Sequence, residues 1–253
     1  MILSHRHRFV FIKGVKVAGT SVEIALSQVC EADDIVTPIT PADERHRLGT
    51  GGEPRNYARH LFPGWLRRRL ERRYVEKIRS ASPDALSTIR SPPRRFWNHM
   101  ELARVLRLVP AARDYEVLGV ERSPYSKVLS LANWLANEDR YNRGENLPGS
   151  PEAVRSSIDR LIADGRIRSV LNINRYRDLN GVVAVTPWRT ESLSEDLAAF
   201  FRSKGLDAVP LVHAKKGFQS ERLDPRSIMR PDQIAAVNRI FAEEFEQFGW
   251  AQL

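Results

Sequence analysis

The stretch Phe9-Val-Phe-Ile-Lys-Gly-Val-Lys-Val-Ala-Gly-Thr-Ser-Val-Glu-Ile-Ala-Leu26 decides the fold of this chain. Its opening apolar residues predict a short strand, and an amphipathic helix is predicted to begin near Thr20. The loop between them contains Gly14 and Gly19. Glycines allow a backbone to approach an anion closely, and the N–H groups at a helix N-terminus favour phosphate or sulfate. The sequence therefore predicts an anion site between this strand and this helix.

The spacing of the loop nearly matches a Walker A motif. Gly14 and Gly19 stand where that motif has its two glycines, but Thr20 occupies the position of its lysine. A lysine occurs instead inside the loop, as Lys16. A nucleotide-dependent kinase requires the lysine after the second glycine, together with an acidic Mg²⁺ ligand at a strand end. The displaced lysine therefore counts against a kinase.

Composition limits the class of protein but does not choose its ligand. The 253 residues, 42% of them hydrophobic, suffice for one sizeable core, so we expect a single domain over 1–253, with two as the alternative. Lys and Arg number 40 and Asp and Glu number 31, which gives a formal charge of 40 − 31 = +9. Such an excess attracts polyanions in general.

The lone cysteine and the N-terminal residues bear on the compartment. Cys30 excludes an internal disulfide and argues weakly for a reducing compartment. The first strand is expected to begin by Phe9, which leaves no room for a cleavable signal peptide, and no stretch approaches the length of a membrane span. His5 and His7 are expected in a short solvated leader. We therefore expect a cytoplasmic protein.

Strand and helix patterns alternate along the chain. After the first unit, residues 31–50 are expected as a polar, proline-punctuated loop. Such alternation predicts an α/β fold with a mostly parallel central sheet flanked by helices. Further strands are predicted over 115–120 and 181–185, and further helices over 65–79, 97–109, 125–136, 151–164, 190–201 and 231–248.

The predicted helix over 65–79 is strongly basic and lies within a basic segment of about 55–95. Leu66, Leu70, Tyr74 and Ile78 recur every four residues and form one apolar stripe. The simpler interpretation is a helix that packs this stripe on the core with solvated arginines outside, and we favour it. The alternative is a docking face for an anionic acceptor or a membrane surface.

A second strand–turn–helix unit contains Arg122-Ser-Pro-Tyr-Ser-Lys-Val-Leu-Ser130. If its helix begins near Pro124, Ser130 lies about two turns beyond Arg122 and can face the same side. A guanidinium group with a hydroxyl group suits a phosphate monoester. Two anion sites on one sheet indicate a ligand with two separated anionic groups.

These motifs resemble those of the P-loop sulfotransferases that use 3′-phosphoadenosine 5′-phosphosulfate (PAPS), particularly the carbohydrate-type branch. Val15-Lys-Val-Ala-Gly-Thr-Ser21 is similar to the family's Pro-Lys-Thr-Gly/Ala-Gly-Thr-Ser, and the second unit resembles Arg-x-Pro-Tyr/Trp-x-Arg-x-x-Ser. Arg189-Thr-Glu-Ser-Leu-Ser-Glu-Asp-Leu197 and Ala242-Glu-Glu-Phe-Glu-Gln-Phe-Gly-Trp250 resemble a later helix start and the C-terminal helix. The resemblance implies a three-layer P-loop fold and sulfonate transfer to an acceptor hydroxyl.

The resemblance also implies roles for individual residues. Lys16 would contact the bridging oxygen of the phosphosulfate, and Arg122 with Ser130 would hold the 3′-phosphate of the nucleotide. No metal is required. Val15, Val17 and Lys127 depart from the family pattern, which has Pro, Thr and Arg there. The other implied nucleotide contacts are Ala18, Gly19, Thr20 and Ser21 around the phosphosulfate, and Lys215, Lys216 and Gly217 in a late closing loop.

Transfer to a hydroxyl needs a base, and His99 is the preferred candidate. The segment Trp97-Asn-His-Met-Glu-Leu-Ala-Arg104 resembles a His-containing helix start of the family. His60 is the second choice and Glu23 a weaker one, since Glu23 is expected to face solvent or an arginine. A surface or capping histidine is the ordinary alternative for either imidazole.

The expected acceptor is a carbohydrate, glycolipid or small metabolite, with PAPS as co-substrate and 3′-phosphoadenosine 5′-phosphate (PAP) as product. The rival functions are a P-loop kinase and a non-catalytic nucleotide-binding or polyanion-binding protein. Nucleic acid is not expected as a partner, because few aromatic residues interleave with the basic run.

Overall fold

A computed structural model describes residues 1–137, 150–211 and 224–253. The chain divides into two compact units. Unit 1 contains residues 1–13, 18–120 and the described part of 175–214. Unit 2 contains residues 14–17, 121–174 and the described part of 215–253. Both are assembled from separate stretches of sequence, and the single sulfotransferase-like domain over 1–253 stays a prediction.

The central sheet has the strand order β3-β1-β2-β4-β5. β1 runs antiparallel to both β2 and β3, whereas β2 and β4 are parallel, with Phe9 opposite Glu116 and Ile12 opposite Gly119. The α/β class is therefore confirmed, but the sheet is mixed. The three-layer P-loop architecture remains a prediction. The strands are β1 (Ile2–Ser4), β2 (Phe9–Ile12), β3 (Ile35–Val36), β4 (Glu116–Glu121) and β5 (Trp188–Arg189).

Two sequence-based expectations about strands are wrong. The expected solvated leader contains the fully buried strand β1, because the apolar residues Ile2 and Leu3 pair across to β2 and β3. The strand expected over 181–185 contributes only a single bridge, between Arg177 and Val183. There Asp178 accepts the N–H of Val182 at 2.9 Å and donates its own to the Val182 carbonyl at 2.8 Å, which closes a turn.

Most predicted helices form, with shifted ends, and one forms where a loop was expected. That helix, α2, begins at a proline, and the Thr40 hydroxyl accepts the Asp43 N–H ahead of it, a regular N-terminal signal. The helix expected over 231–248 is interrupted at Phe241. The helices are α1 (Gly19–Ser27), α2 (Pro41–Gly49), α3 (Gly64–Ser80), α4 (Leu102–Leu108), α5 (Pro124–Ala136), α6 (Pro151–Ala163), α7 (Leu193–Ser203), α8 (Pro225–Ile228), α9 (Pro231–Ile240) and α10 (Ala242–Phe248).

Each unit has its own apolar interior. In unit 1 the strands β1, β2 and β3 are buried along their whole length, so the sheet forms the centre of its core. In unit 2 the helices α5, α6, α9 and α10 pack through residues such as Val128, Ile158 and Phe241. Among the described residues, no helix combines the length and the apolar character needed to cross a membrane.

Candidate functional site

The loop after β2 has an unusual backbone. Lys16 and Ala18 both lie in the left-handed region, with φ of 63° and 59°, and Val17 stands between them. Left-handed residues that alternate with ordinary ones turn successive N–H groups toward one point, as in anion-binding loops. Neither residue is glycine, so this shape costs on the order of 1–2 kcal/mol at each. The surrounding contacts must impose it.

Within unit 2, Val15 and Lys16 of this loop both contact other segments of the chain. The ammonium group of Lys16 lies 5.5 Å from the ring centroid of Trp134, in the last turns of α5. The side-chain amide of Asn172 accepts the Val15 N–H at 2.8 Å and donates to the Val15 carbonyl at 3.2 Å. Lys16 therefore lies against the helix that bears Ser130.

Arg122 lies just before α5 and Ser130 lies in the middle of it, the spacing that the second motif predicts. Both are partly exposed. Arg122 precedes Pro124, the first residue of the helix, and Ser130 lies one turn before Trp134. Residues four apart share a helix face, so Ser130 and Trp134 lie on the same side of α5. The structure thus brings Lys16 and the Ser130 face of α5 together within unit 2.

In unit 1, the first turn of α1 packs on the buried side chain of Lys13. A Cβ atom at Gly19 would lie 2.8 Å from Cγ of Lys13, so this position has room only for glycine. The Lys13 ammonium donates to the Thr20 hydroxyl at 2.9 Å and to the Glu23 carboxylate at 2.7 Å. The Thr20 oxygen is the acceptor there, which leaves its proton to be donated to another group. Sequence reasoning assigned no role to Lys13.

Glu23 is fully buried, so the expectation that it faces solvent or an arginine is wrong. It pairs with Lys13 and with the amino group of Met1. Burial alone would raise its pKa, but Lys13 and the Met1 amino group lower it to about 2. With its amide oriented to satisfy both neighbours, Asn98 donates to Glu23 at 2.9 Å and accepts from Lys13 at 3.2 Å. A carboxylate held this strongly in its ionised form is a poor proton acceptor.

His99 lies beside the end of β2 in unit 1. Its Nδ1 is 3.1 Å from the carbonyl oxygen of Lys13, and its own carbonyl accepts from Arg175 at 2.6 Å. A carbonyl can only accept, so Nδ1 carries the proton and Nε2 is the acceptor nitrogen. Burial and the charge of Lys13 lower the pKa of His99 to about 4, so the imidazole is neutral at pH 7. His60, by contrast, is exposed and has a left-handed backbone with φ of 67°.

The basic helix predicted over 65–79 is α3, in unit 1. Of its predicted stripe, Tyr74 and Ile78 are buried and Leu66 and Leu70 are partly buried, as the simpler interpretation expects. Trp65, at its start, is 63% exposed. Its outward basic residues are Arg68, Arg69, Arg72, Arg73, Lys77 and Arg79. The docking role of this face stays a prediction.

Lys215, Lys216 and Gly217 lie outside the described residues. Within 1–137, 150–211 and 224–253, no group of three or more His, Cys, Asp or Glu side chains is arranged to hold a metal ion. The remaining nucleotide-contact candidates, Ala18 to Ser21, form the cap and first turn of α1.

No protein-family model matches this chain, and comparisons with curated proteins and with solved structures found no match either. The resemblance to sulfotransferases therefore rests on the motifs of the chain itself.

Proposed function

We propose that this protein is a PAPS-dependent sulfotransferase that transfers a sulfonate group to an acceptor hydroxyl. The observation that carries the proposal is the placement of Lys16 against Trp134, on the α5 face that also carries Ser130. The lysine displaced from the Walker position thus lies against the helix that begins after Arg122. This arrangement suits a donor with a 5′-phosphosulfate and a separate 3′-phosphate.

In the proposed reaction the acceptor oxygen attacks the sulfonate sulfur in line. A new O–S bond forms, and the bond between sulfur and the bridging phosphate oxygen breaks. The electron pair of that bond leaves with PAP, where Lys16 stabilises the developing negative charge. By the family resemblance, the backbone N–H groups of the first turn of α1 and the Thr20 hydroxyl would contact the departing phosphate.

The acceptor must also lose its proton, and His99 is proposed to accept it at Nε2. The Lys13 carbonyl fixes the imidazole through Nδ1, so the ring presents the same nitrogen throughout. Its lowered pKa keeps the ring neutral before reaction. Glu23 is unsuited to this role because both of its carboxylate oxygens are already paired, one with Lys13 and the other with the Met1 amino group.

The acceptor is proposed to be a carbohydrate, glycolipid or small metabolite. The exposed arginines of α3 favour an acceptor that already carries negative charge. Arginine binds carboxylate and sulfate groups through paired N–H donors, so an anionic sugar suits this face.

Thermal unfolding with PAP, and separately with ATP and Mg²⁺, tests the donor. At a concentration about 100 times its Kd, PAP would stabilise the native state by about 2.7 kcal/mol, a rise of several degrees in Tm. Stabilisation by ATP with Mg²⁺ alone would instead support the kinase and refute the proposal.

Transfer of labelled sulfonate from PAPS to candidate acceptors tests the chemistry. His99→Ala should lower kcat by about 10² or more and leave PAP affinity near that of the wild type. His60→Ala is the matched control. Loss of transfer in His60→Ala alone would move the base to His60, and PAP binding without transfer to any acceptor would favour the non-catalytic alternative.

A further inference from the structure

A buried polar chain in unit 2 connects α10 to the loop that carries Lys16. Glu244, on α10, is fully buried, and its two carboxylate oxygens accept three hydrogen bonds. One oxygen accepts from Lys127 of α5 at 2.5 Å. Its other oxygen accepts the N–H groups of Asn172 and Ile173, at 2.6 and 3.0 Å. One side chain thus fixes both α5 and the segment around Asn172.

Asn172 continues the chain to the loop. Its side chain is fully buried, and its amide bonds both the N–H and the carbonyl of Val15. Val15 immediately precedes Lys16, whose left-handed backbone, with φ of 63°, needs external support. The amide of Asn172 bonds both backbone groups of Val15, as a neighbouring strand would. It therefore restricts the direction of the backbone where the chain continues into Lys16.

Lys127 extends the chain to the second motif. Its ammonium also donates to Glu121 at 2.8 Å, and the same Glu121 oxygen accepts the Arg122 N–H at 3.1 Å. Hydrogen bonds therefore run from the Arg122 backbone through Glu121, Lys127, Glu244 and Asn172 to Val15. The resembled motif has arginine at position 127. Here the ammonium group of Lys127 forms ion pairs with both Glu121 and Glu244.

Stability alone is a weak reason for this arrangement. Two buried carboxylates share one ammonium, and burial followed by the nearby Glu121 charge raises the pKa of Glu244 against the opposing effect of Lys127. Removing such groups from water is costly, and well-packed apolar residues often stabilise a protein as well or better. What apolar residues cannot do is bond the Val15 and Arg122 backbones in fixed directions.

We propose that Glu244 and Asn172 are positioning residues that hold the Lys16 loop and the Arg122 turn in the geometry needed to bind the two anionic groups of the donor. Only the identity of the ligand rests on the proposed sulfotransferase function. The ordering of the loop by these residues is a property of the chain without ligand.

Hydrogen exchange of the ligand-free protein tests the ordering. Asn172→Ala removes both bonds to Val15 and should speed exchange of the Val15 amide about tenfold. Glu244→Gln keeps the shape of the side chain but loses the bond to Lys127, and should speed it a few-fold. Glu246→Gln, an exposed position on the same helix, is the control and should match the wild type.

Exchange in α6, in the core of unit 2, is the internal reference. If the two residues have a merely structural role, their loss should speed hydrogen exchange in α6 and in the loop together. If they have a positioning role, exchange should become faster in the loop alone. If Asn172→Ala does not fold, the isosteric Glu244→Gln decides. Unchanged Val15 exchange in a folded variant, or equal acceleration in α6, overturns the proposal.

Calorimetric titration with PAP separates the two proposals. Both variants should bind PAP about tenfold more weakly, and kcat/KM for transfer should fall with it, while Glu246→Gln is unaffected. A wild type that does not bind PAP refutes the sulfotransferase function, and the exchange comparison still decides the positioning role. Wild-type PAP affinity in both variants, despite a loosened loop, refutes the role in donor binding.

Discussion

Acidification should destabilise this protein through His99, and the size of the effect follows from its surroundings. Burial and the charge of Lys13 lower the pKa of His99 from 6.5 to about 4. The unfolded chain therefore binds more protons than the folded one between these values, so stability falls as pH falls from 6.5 toward 4. A pKa difference of about 2.5, at about 1.36 kcal/mol for each unit, gives a loss of about 3 kcal/mol.

His99→Asn isolates this contribution. The asparagine amide can donate to the Lys13 carbonyl in place of Nδ1, but it does not titrate. Urea unfolding from pH 7 to pH 4 should show a free energy of unfolding that falls about 3 kcal/mol less in the variant than in the wild type.

A second histidine variant provides the control for that titration. His60→Gln removes an exposed imidazole and tests the loss of a histidine as such. If His99→Asn and the wild type lost stability in parallel between pH 7 and pH 4, the buried, neutral imidazole would be refuted.

Three further changes test separate parts of the structure. In urea unfolding, Lys16→Gly should be more stable than Lys16→Ala by about 1 kcal/mol, because only glycine adopts φ of 63° without strain. Both variants should lose sulfonate transfer. Equal stabilities would contradict the left-handed backbone at this position. Gly52→Ala would place a Cβ atom in steric conflict with Oγ of the buried Ser27. Thermal unfolding should show that the variant is less stable than the wild type by about 2 kcal/mol or more. A Tm like that of the wild type would refute this packing. Charge reversal at both Arg72 and Arg73 should raise KM for an anionic acceptor severalfold at low salt without changing PAP affinity, and an unchanged KM would exclude α3 from acceptor binding.

The first strand–loop–helix unit could be predicted from sequence because its signals are local. An apolar run, two spaced glycines and a following amphipathic stretch need no knowledge of distant residues. β1 was missed because only three residues form it, and its pairing with β2 and β3 depends on the tertiary fold. α2 was missed although its signals were present: Thr40-Pro41 indicates a helix start as well as a turn.

Partners of the candidate site were harder to predict than its motifs. The motif pattern led to Lys16, Arg122 and Ser130, but it said nothing about what supports them. Asn172 and Val15 are 157 residues apart in the sequence, so their contact leaves no local signal. The prediction for Glu23 was wrong for a related reason, because Lys13 becomes its partner only when β2 and α1 pack together.

The chain from Val15 to Glu244 also has a consequence for how this protein is made. A ribosome completes the Lys16 loop early, but the side chains that fix the loop emerge much later. Contacts between such distant residues form late, because the intervening chain must first be ordered. A nascent polypeptide from which Glu244 has not yet emerged therefore contains the Lys16 loop without the contacts that shape it. The Lys16 loop would then become ordered only after the residues around Glu244 have left the ribosome.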